Sequence, residues 1–268
     1  MSVEAGTTGT AMPVAVVLAA GRGVRMRSDL PKVVHPVGGR AMVCAVVDAC
    51  LEAGCERVIV VVGYRQEAVR EALAGYGPEV CFAVQAEQLG TGHAVLSARR
   101  ELEALAAGTP VFVLCGDGPL IRAETLRTLL ARHVSRGASA TLATAVLDDP
   151  SGYGRVVRDH AGRFLGIVEE KAATPEQVAI REVNPSYYCF EAGALLRALE
   201  RVRRNPASGE YYVTDVPSLL LGEGARVEVI DAVPAQDVLS INTPEQLAEV
   251  DRVYRSRAGS RAGAGKGA

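Results

Sequence analysis

The sequence has almost no net charge, no Cys-x-x-Cys pair and no apolar run of membrane-spanning length. Its 29 Lys and Arg residues against 31 Asp and Glu residues give a formal charge of −2, which offers no overall attraction to nucleic acid or an anionic membrane. No apolar stretch approaches the ~18 residues that cross a bilayer. The segment before the first apolar run contains Glu4 and no Lys or Arg, unlike a secretory signal peptide. We therefore expect a cytoplasmic protein without nucleic-acid or membrane partners.

Cysteine and histidine are present, but not in metal-binding patterns. The six cysteines lie mostly within apolar runs, and the four histidines are scattered without the spacing of a zinc site. Such cysteines are typical of small buried side chains in a reduced compartment. We therefore expect free thiols and no zinc.

Apolar segments of strand length alternate with helical segments along the first half of the chain. Continuous apolar strands alternating with helices are typical of a parallel sheet covered on both faces. We therefore predict an α/β protein with a three-layer, Rossmann-like fold and a mostly parallel sheet. The predicted strands are Val14–Leu18, Val58–Val62, Val80–Val84, Val111–Cys115 and Ala140–Val146, and two helix faces are indicated by Val43, Val46, Val47 and Cys50 and by Leu126, Leu129, Leu130 and Val134.

The pattern changes near residue 148, where short strands and turns replace the alternation. His160-Ala161-Gly162 predicts a hairpin between Arg155–Asp159 and Arg163–Glu169. A third strand is predicted at Glu182–Phe190. Together they predict a β-rich insertion over about 148–190, lying across the carboxyl edge of the sheet, where α/β folds bind ligands. The domain is expected over 13–255 and to end in a helix at Pro244–Tyr254, between a disordered extension at 1–12 and a flexible tail at 256–268.

The segment after the first predicted strand is rich in glycine and carries two cations. Gly21 and Gly23 allow backbone N–H groups to approach an anion, and Arg25 and Lys32 are close enough in sequence to reach the same phosphates. A dinucleotide fingerprint, and with it an oxidoreductase, is disfavoured because Met26 stands where a third glycine is required. The Gly-Lys-Ser/Thr of an ATPase-type loop is absent. A phosphate-binding loop and a ligand-free strand-to-helix turn remain as interpretations.

Asp117 follows a predicted strand directly, between Gly116 and Gly118. A carboxylate at the carboxyl edge of the sheet is well placed for Mg²⁺, whose remaining ligands are phosphates and water. Capping of the following helix is the alternative interpretation. Asn242, taken alone, is a good N-cap for the final helix.

A second loop after a strand contains Gln85 and the pair Gly90-Thr91. The glutamine amide donates and accepts at once, which suits the imide edge of uracil. A solvated loop residue is the alternative interpretation for Gln85. His93 is predicted to be structural, in the first turn of the next helix.

Six ordered sequence blocks, which lie between residues 13 and 255, resemble one known family. The chain is similar to the sugar-1-phosphate nucleotidyltransferases, and within them to the uridylyltransferase domains of the bacterial N-acetylglucosamine-1-phosphate uridylyltransferase family. The blocks include Leu18-Ala19-Ala20-Gly21-x-Gly23-x-Arg25-Met26 with Pro31-Lys32-Val33, Gln85 to Ala94, Gly116-Asp117-x-Pro119-Leu120, Gly152-Tyr153-Gly154-Arg155, Ile167-Val168-Glu169 and Gly209-Glu210-Tyr211-Tyr212-x-Thr214-Asp215.

The resemblance implies two substrates, UTP and N-acetylglucosamine 1-phosphate, with Mg²⁺ as cofactor and UDP-N-acetylglucosamine and pyrophosphate as products. It implies catalytic roles for Arg25, Lys32 and Asp117 and metal ligation by Asp117 and Asn242. The implied nucleotide-binding residues are Leu18, Ala20, Gly21, Gly23, Lys32, Gln85, Gly90 and Thr91, and the implied sugar-binding residues are Gly154, Glu169, Asn184, Tyr212 and Thr214.

The chain departs from the family pattern at three places near these residues. Asn184-Pro185-Ser186 stands for the usual Asn-Thr-Gly, Cys115 for a common Tyr, and Val24 for the usual Thr. Another sugar 1-phosphate, such as glucose 1-phosphate, and a nucleotide-sugar-binding regulator without catalysis are the alternative functions. The sequence contains no hexapeptide array of the kind that forms the acetyltransferase half of bifunctional relatives, so we expect no acetyl transfer.

Overall fold

A mostly parallel sheet with helices on both faces forms the centre of the fold. The computed structural model describes residues 11–26, 28–239, 241 and 243–264, and of residues 24 and 258–264 it describes only the backbone. The strands are β1 Val14–Ala19, β2 Pro36–Val37, β3 Arg40–Ala41, β4 Arg57–Val62, β5 Val80–Val84, β6 Pro110–Cys115, β7 Ala140–Val146, β8 Gly154–Arg158, β9 Phe164–Val168, β10 Glu182–Glu191 and β11 Val227–Asp231. The helices are α1 Met42–Glu52, α2 Gln66–Ala72, α3 Thr91–Leu96, α4 Arg99–Glu103, α5 Ala123–Arg136, α6 Pro175–Val178, α7 Ala192–Leu199, α8 Val216–Gly222 and α9 Pro244–Ala264.

The sheet order is β11-β7-β10-β6-β1-β4-β5. β1 pairs in parallel with β4 and β6, β4 with β5, and β7 with β11, whereas β10 is antiparallel to both of its neighbours. Parallel strands of this kind end at one edge, so the loops after β1, β5 and β6 lie together. The predicted fold class is confirmed.

The interior strand β1 shows why both faces of the sheet are covered. Val14 and Val16 pack into one core, and Ala15 and Val17 pack into the other, and all four are fully buried. One core contains α1 and α5 residues, and the other contains α4, α7 and α8 residues. Because successive strand side chains point to opposite faces, a strand apolar at every position needs a helical layer on each side.

The predicted β-rich insertion divides into two parts with different roles. β8 and β9 form the expected hairpin, which joins the sheet by pairing β8 with β10. β10, the third predicted strand, is inserted between β6 and β7 and belongs to the main sheet. Only the hairpin is therefore peripheral, and β10 places residues 184–187 beside the end of β6.

The final helix is longer than predicted. α9 ends at Ala264 and not at Tyr254, so the predicted flexible tail is helical over residues 256–264. Alanine and arginine favour helix. Within this stretch, Arg257 bonds to the buried Asp237 and to Leu120 O, and just before it Arg255 bonds to Asp251 at 2.7 Å. Asp251 Oδ1 in turn accepts from Gly38 N at 2.7 Å. Residues 1–10 of the predicted N-terminal extension lie outside the described residues.

The cysteines are free thiols, as expected, and four of the six are buried. No helix within the described ranges combines the length and apolar character that a membrane span requires.

Candidate active site

Two cavities meet at the carboxyl edge of the sheet, and Asp117 and Cys115 line both. The first cavity has a volume of about 260 Å³ and the second about 190 Å³. The first is lined by Leu18, Ala20, Gly21, Gly23, Lys32, Val33, Gln85, Gln88, Gly90, Thr91, Ala94, Cys115, Asp117 and Glu210. The walls of the second include Arg25, Cys115, Asp117, Gly118, Gly152, Tyr153, Gly154, Glu169, Asn184, Pro185, Ser186, Tyr187 and Val238.

All eight predicted nucleotide-binding residues lie on the wall of the first cavity. The glycine loop contributes because Gly23 has a φ of +68°, and a Cβ there would lie 2.5 Å from Lys32 Cβ. Glycine therefore permits both the turn and the close passage of the segment that carries Lys32.

Lys32 and Asp117 form an ion pair at the junction of the two cavities. Lys32 Nζ lies 2.5 Å from Asp117 Oδ2, and their side chains are 13% and 26% exposed. Asp117 lies two residues beyond β6, as predicted, but α5 begins only at Ala123. The helix-capping alternative for Asp117 is therefore wrong.

Arg25 lies on the wall of the second cavity and not of the first. The sequence placed Arg25 and Lys32 on the same phosphates. The structure instead sets one cation on each side of Asp117. An anion held at the junction would thus meet a positive group from either cavity.

Gln85 is 4% exposed, so the solvated alternative is wrong. Its amide Nε2 donates to Gly90 O at 3.0 Å and lies 3.1 Å from His93 Nδ1. His93 lies in the first turn of α3, as predicted, and orients this amide. The carboxamide is thus held in one orientation at the cavity wall, as a group that reads a base edge must be.

The first cavity is closed by the backbone at Glu210 and Tyr211, which are not among the predicted nucleotide-binding residues. Tyr211 O accepts from Gly92 N at 2.7 Å, and Tyr211 N donates to Leu89 O at 2.8 Å. A Cβ on Gly90, which has a φ of +100°, would lie 2.6 Å from Tyr211 O. Glu210 comes to the wall as the neighbour of Tyr211. Glu210 belongs to the block Gly209-Glu210-Tyr211-Tyr212, and this is the sequence feature from which its position at the site could have been predicted.

Three of the five predicted sugar-binding residues lie on the wall of the second cavity: Gly154, Glu169 and Asn184. Burial raises the pKa of Glu169, and the neighbouring carboxylates of Asp215 and Glu210 act in the same direction, against a hydrogen bond from Thr214. The Asn184 amide donates to Tyr188 OH at 2.7 Å and accepts from Ser186 N at 3.1 Å.

The other two predicted sugar-binding residues line neither cavity. Thr214 Oγ1 donates to Glu169 Oε1 at 3.2 Å, so Thr214 supports a wall residue from behind. Tyr212 OH donates to Ser208 Oγ at 2.7 Å. A direct contact from Tyr212 to a ligand in the second cavity therefore has no support in this arrangement.

The departure at Asn184-Pro185-Ser186 coincides with an irregularity in β10. Pairing between β10 and β7 shifts register between Val183 and Tyr187. Ser186 has a φ of +64°, in the left-handed region that glycine adopts without strain. The backbone thus keeps the conformation that the usual glycine would take, with a serine in its place.

The second predicted metal ligand, Asn242, lies outside the described residues. The capping contact at the start of α9 is made by Thr243, whose Oγ1 accepts from Gln246 N at 3.3 Å. In the part of the chain that the structure describes, no three His, Cys, Asp or Glu side chains form a metal-binding group.

The MobA-like NTP transferase domain family matches residues 15–208, which include both predicted cations and Asp117. The chain belongs to this family. The predicted relationship to nucleotidyltransferases is thus confirmed, and the glycine loop is the loop of an NTP transferase domain.

Curated relatives and one solved structure agree with this membership. Bifunctional protein GlmU of Heliobacterium modesticaldum is 47% identical over 91% of this chain, and that of Pelotomaculum thermopropionicum 48% identical over 91%. The chain spans about half the length of these relatives, 52% of each. A nucleotidyl transferase from Methanothermobacter thermautotroptrophicus has the same fold, with a TM-score of 0.62 at 21% identity, over 92% of this chain and 99% of its own.

Proposed function

We propose that this NTP transferase domain transfers the uridylyl group of UTP to N-acetylglucosamine 1-phosphate, releasing pyrophosphate. The observation that carries the proposal is the pair of cavities that meet at Asp117, one lined by the glycine loop and Lys32 and the other by Arg25 and Glu169. Two substrates whose phosphates must touch need two adjoining pockets. The motif resemblance selects the uridine nucleotide and the N-acetylated sugar.

The residues act by holding and neutralising phosphates. The sugar phosphate attacks the α-phosphorus of UTP in line, and pyrophosphate leaves. Lys32 stabilises the phosphate charge from the first cavity, which takes the nucleotide, and Arg25 stabilises it from the second cavity, which takes the sugar. Cations that are held in position before the reaction lower its barrier. A general base is unnecessary because the attacking phosphate is ionised at pH 7.

The donor set at the junction fits Mg²⁺. Asp117 presents a carboxylate to both cavities. Magnesium is commonly held by one or two carboxylates, with substrate phosphates and water completing its octahedron. Asp117 would hold the ion, with Asn242 as the proposed second ligand. The ion, when bound, supplies neutralisation of the phosphate charge.

A pyrophosphate-release assay over a panel of nucleoside triphosphates and sugar 1-phosphates tests the proposal. We expect the highest kcat/KM with UTP and N-acetylglucosamine 1-phosphate. A maximum with glucose 1-phosphate would support the alternative transferase. Binding of UDP-N-acetylglucosamine without turnover of any pair would instead indicate a regulator.

Gln85→Ala is expected to weaken discrimination between UTP and CTP by about 1–3 kcal/mol, because a buried partner of the base is lost. The measurement is the ratio of the two kcat/KM values. Gln88→Ala is the matched control, since Gln88 lines the same cavity but is exposed. An unchanged ratio in Gln85→Ala, or an equal loss in the control, would contradict a role in reading the base.

The double substitution Pro185→Thr and Ser186→Gly is expected to widen the preference for N-acetylglucosamine 1-phosphate over glucose 1-phosphate. Proline removes a backbone N–H beside the sugar cavity, and Ser186 holds a left-handed φ that glycine takes freely. The two kcat/KM values measure the margin. Ser186→Gly alone separates the turn conformation from the restored N–H. No change in the ratio for either variant would refute this explanation.

A further inference from the structure

A fully buried arginine lies next to the second cavity without lining it. Arg155, in β8, is 1% exposed. Its Nη1 donates to Tyr153 O, and its Nε donates to Val178 O at 3.4 Å. Burying a guanidinium is costly unless its donors are bonded and its charge is paired. The donors of Arg155 are bonded in this way, although its side chain lines neither cavity.

The charge partner of Arg155 connects it to the loop before β8. Arg155 Nη2 lies 3.3 Å from Glu170 Oε2, and the same oxygen accepts a hydrogen bond from Gly152 N. The Glu170 side chain is 40% exposed, so one carboxylate near the surface joins the buried cation to the loop backbone.

Both members of this pair adjoin residues of the sugar cavity. The second cavity is lined by Gly154, which precedes Arg155, and by Glu169, which precedes Glu170. The two wall residues lie close together, because a Cβ on Gly154 would lie 3.8 Å from Glu169 Oε1. Gly154 and Glu169 are thus neighbours on one side of the cavity, and the bond between Arg155 and Glu170 braces the segment that carries Gly154 against the segment that carries Glu169.

We propose that Arg155 and Glu170 are positioning residues for the sugar 1-phosphate. The ion pair and its bond to Gly152 hold the Gly152–Gly154 loop at the distance from Glu169 that the sugar requires. The inference rests on the proposed function, since it assigns the second cavity to the sugar. The nucleotide, held by residues of the other cavity, is unaffected by this pair.

A second ion pair on the same strand provides a matched control. Arg158 lies three residues after Arg155 and donates to Glu182 through Nε at 2.7 Å and Nη2 at 2.8 Å. This pair has better hydrogen-bond distances than the first, and neither residue lines a cavity. A purely structural role for Arg155 and Glu170 predicts the same kinetic effect from breaking either pair.

The kinetic test compares Glu170→Ala, Glu170→Gln and Glu182→Ala. Glu170→Ala is expected to raise the KM for the sugar 1-phosphate about 10- to 100-fold, the scale of a small misplacement, and to leave the KM for UTP within about twofold. Glu170→Gln keeps an acceptor for Gly152 N, so its effect is expected to be smaller. Glu182→Ala is expected to change neither KM. Equal changes in both KM values, no change in either Glu170 variant, or the same shift in Glu182→Ala would overturn the inference.

Amide hydrogen exchange provides a readout that does not need turnover. The Gly152 amide is expected to exchange faster in Glu170→Ala than in wild type, to lie between the two in Glu170→Gln, and to be unchanged in Glu182→Ala. Unchanged exchange in both Glu170 variants overturns the inference. Should wild type release no pyrophosphate with any sugar phosphate, the proposed function has failed, and faster exchange would then identify the pair as a structural brace alone. Should Glu170→Ala not fold, Glu170→Gln decides both readouts.

Discussion

Asp117→Ala is expected to lower nucleotidyl transfer about a thousandfold or more, the equivalent of about 4 kcal/mol of transition-state stabilisation. Asp117 lines both cavities, where the proposed Mg²⁺ would lie between the two substrates. Pyrophosphate release under saturating substrates measures the effect, and EDTA is expected to abolish the wild-type rate. The fold should survive, since the ion pair with Lys32 is partly exposed and contributes within about 1 kcal/mol to stability.

Asp48→Ala is the control for this prediction. Asp48 is also paired with a cation, Arg40, its side chain is 32% exposed against the 26% of Asp117, and it lines neither cavity. Removing it should leave kcat within a few-fold of wild type. Activity of Asp117→Ala within a few-fold of wild type would refute the metal assignment, and a cooperative unfolding transition near that of wild type would exclude misfolding as the cause.

Lys32→Ala is expected to lower kcat about 10²- to 10³-fold, the usual effect of removing a pre-positioned electrostatic group. Lys32 lines the first cavity and lies 2.5 Å from Asp117, so in the proposed reaction its ammonium would lie where charge develops. Pre-steady-state and steady-state pyrophosphate release distinguish this from weakened UTP binding. An increase in KM for UTP with kcat unchanged would contradict a transition-state role.

Lys171→Ala tests whether any lysine near the site would give the same result. Lys171 follows Glu169 and Glu170 in sequence, and its side chain is exposed to solvent. We expect its kcat and both KM values to stay close to wild type. Comparable losses in Lys171→Ala and Lys32→Ala would show that general positive charge, and not the position of Lys32, matters.

Local sequence patterns predicted the strands well, because a buried strand shows itself as a short apolar run in its own sequence. β5 and β7 begin and end where the sequence placed them. The patterns were less successful where burial depends on distant partners. Val134 belongs to the predicted apolar face of α5, yet it is 42% exposed, because His133 and not Val134 occupies the buried position in the last turn. His133 is 4% exposed, and its Nδ1 lies 3.0 Å from Thr141 Oγ1 in β7.

Long-range pairing explains the larger differences. The position of β10 between β6 and β7 follows from antiparallel pairing between residues 36 to 81 positions apart in sequence, which no local period encodes. Arg25 and Lys32 are close in sequence but line different cavities. Glu210 reaches the first cavity through the contacts of its neighbour Tyr211 with Leu89 and Gly92, which are distant in sequence. The positions of the glycine loop, Gln85 and Asp117 could be predicted from the sequence because each follows a recognisable strand.

The junction of the two cavities depends on contacts with the final helix, α9. Through Asp251 the helix holds Gly38, in the turn that follows the Lys32 segment, and through Arg257 it holds Leu120, three residues after Asp117. Fraying at this helix would therefore release both sides of the ion pair at once. Local opening of this kind occurs at a lower free energy than global unfolding. We therefore expect the junction of the two cavities and α9 to open together, although more than 100 residues separate Asp117 from α9 along the chain.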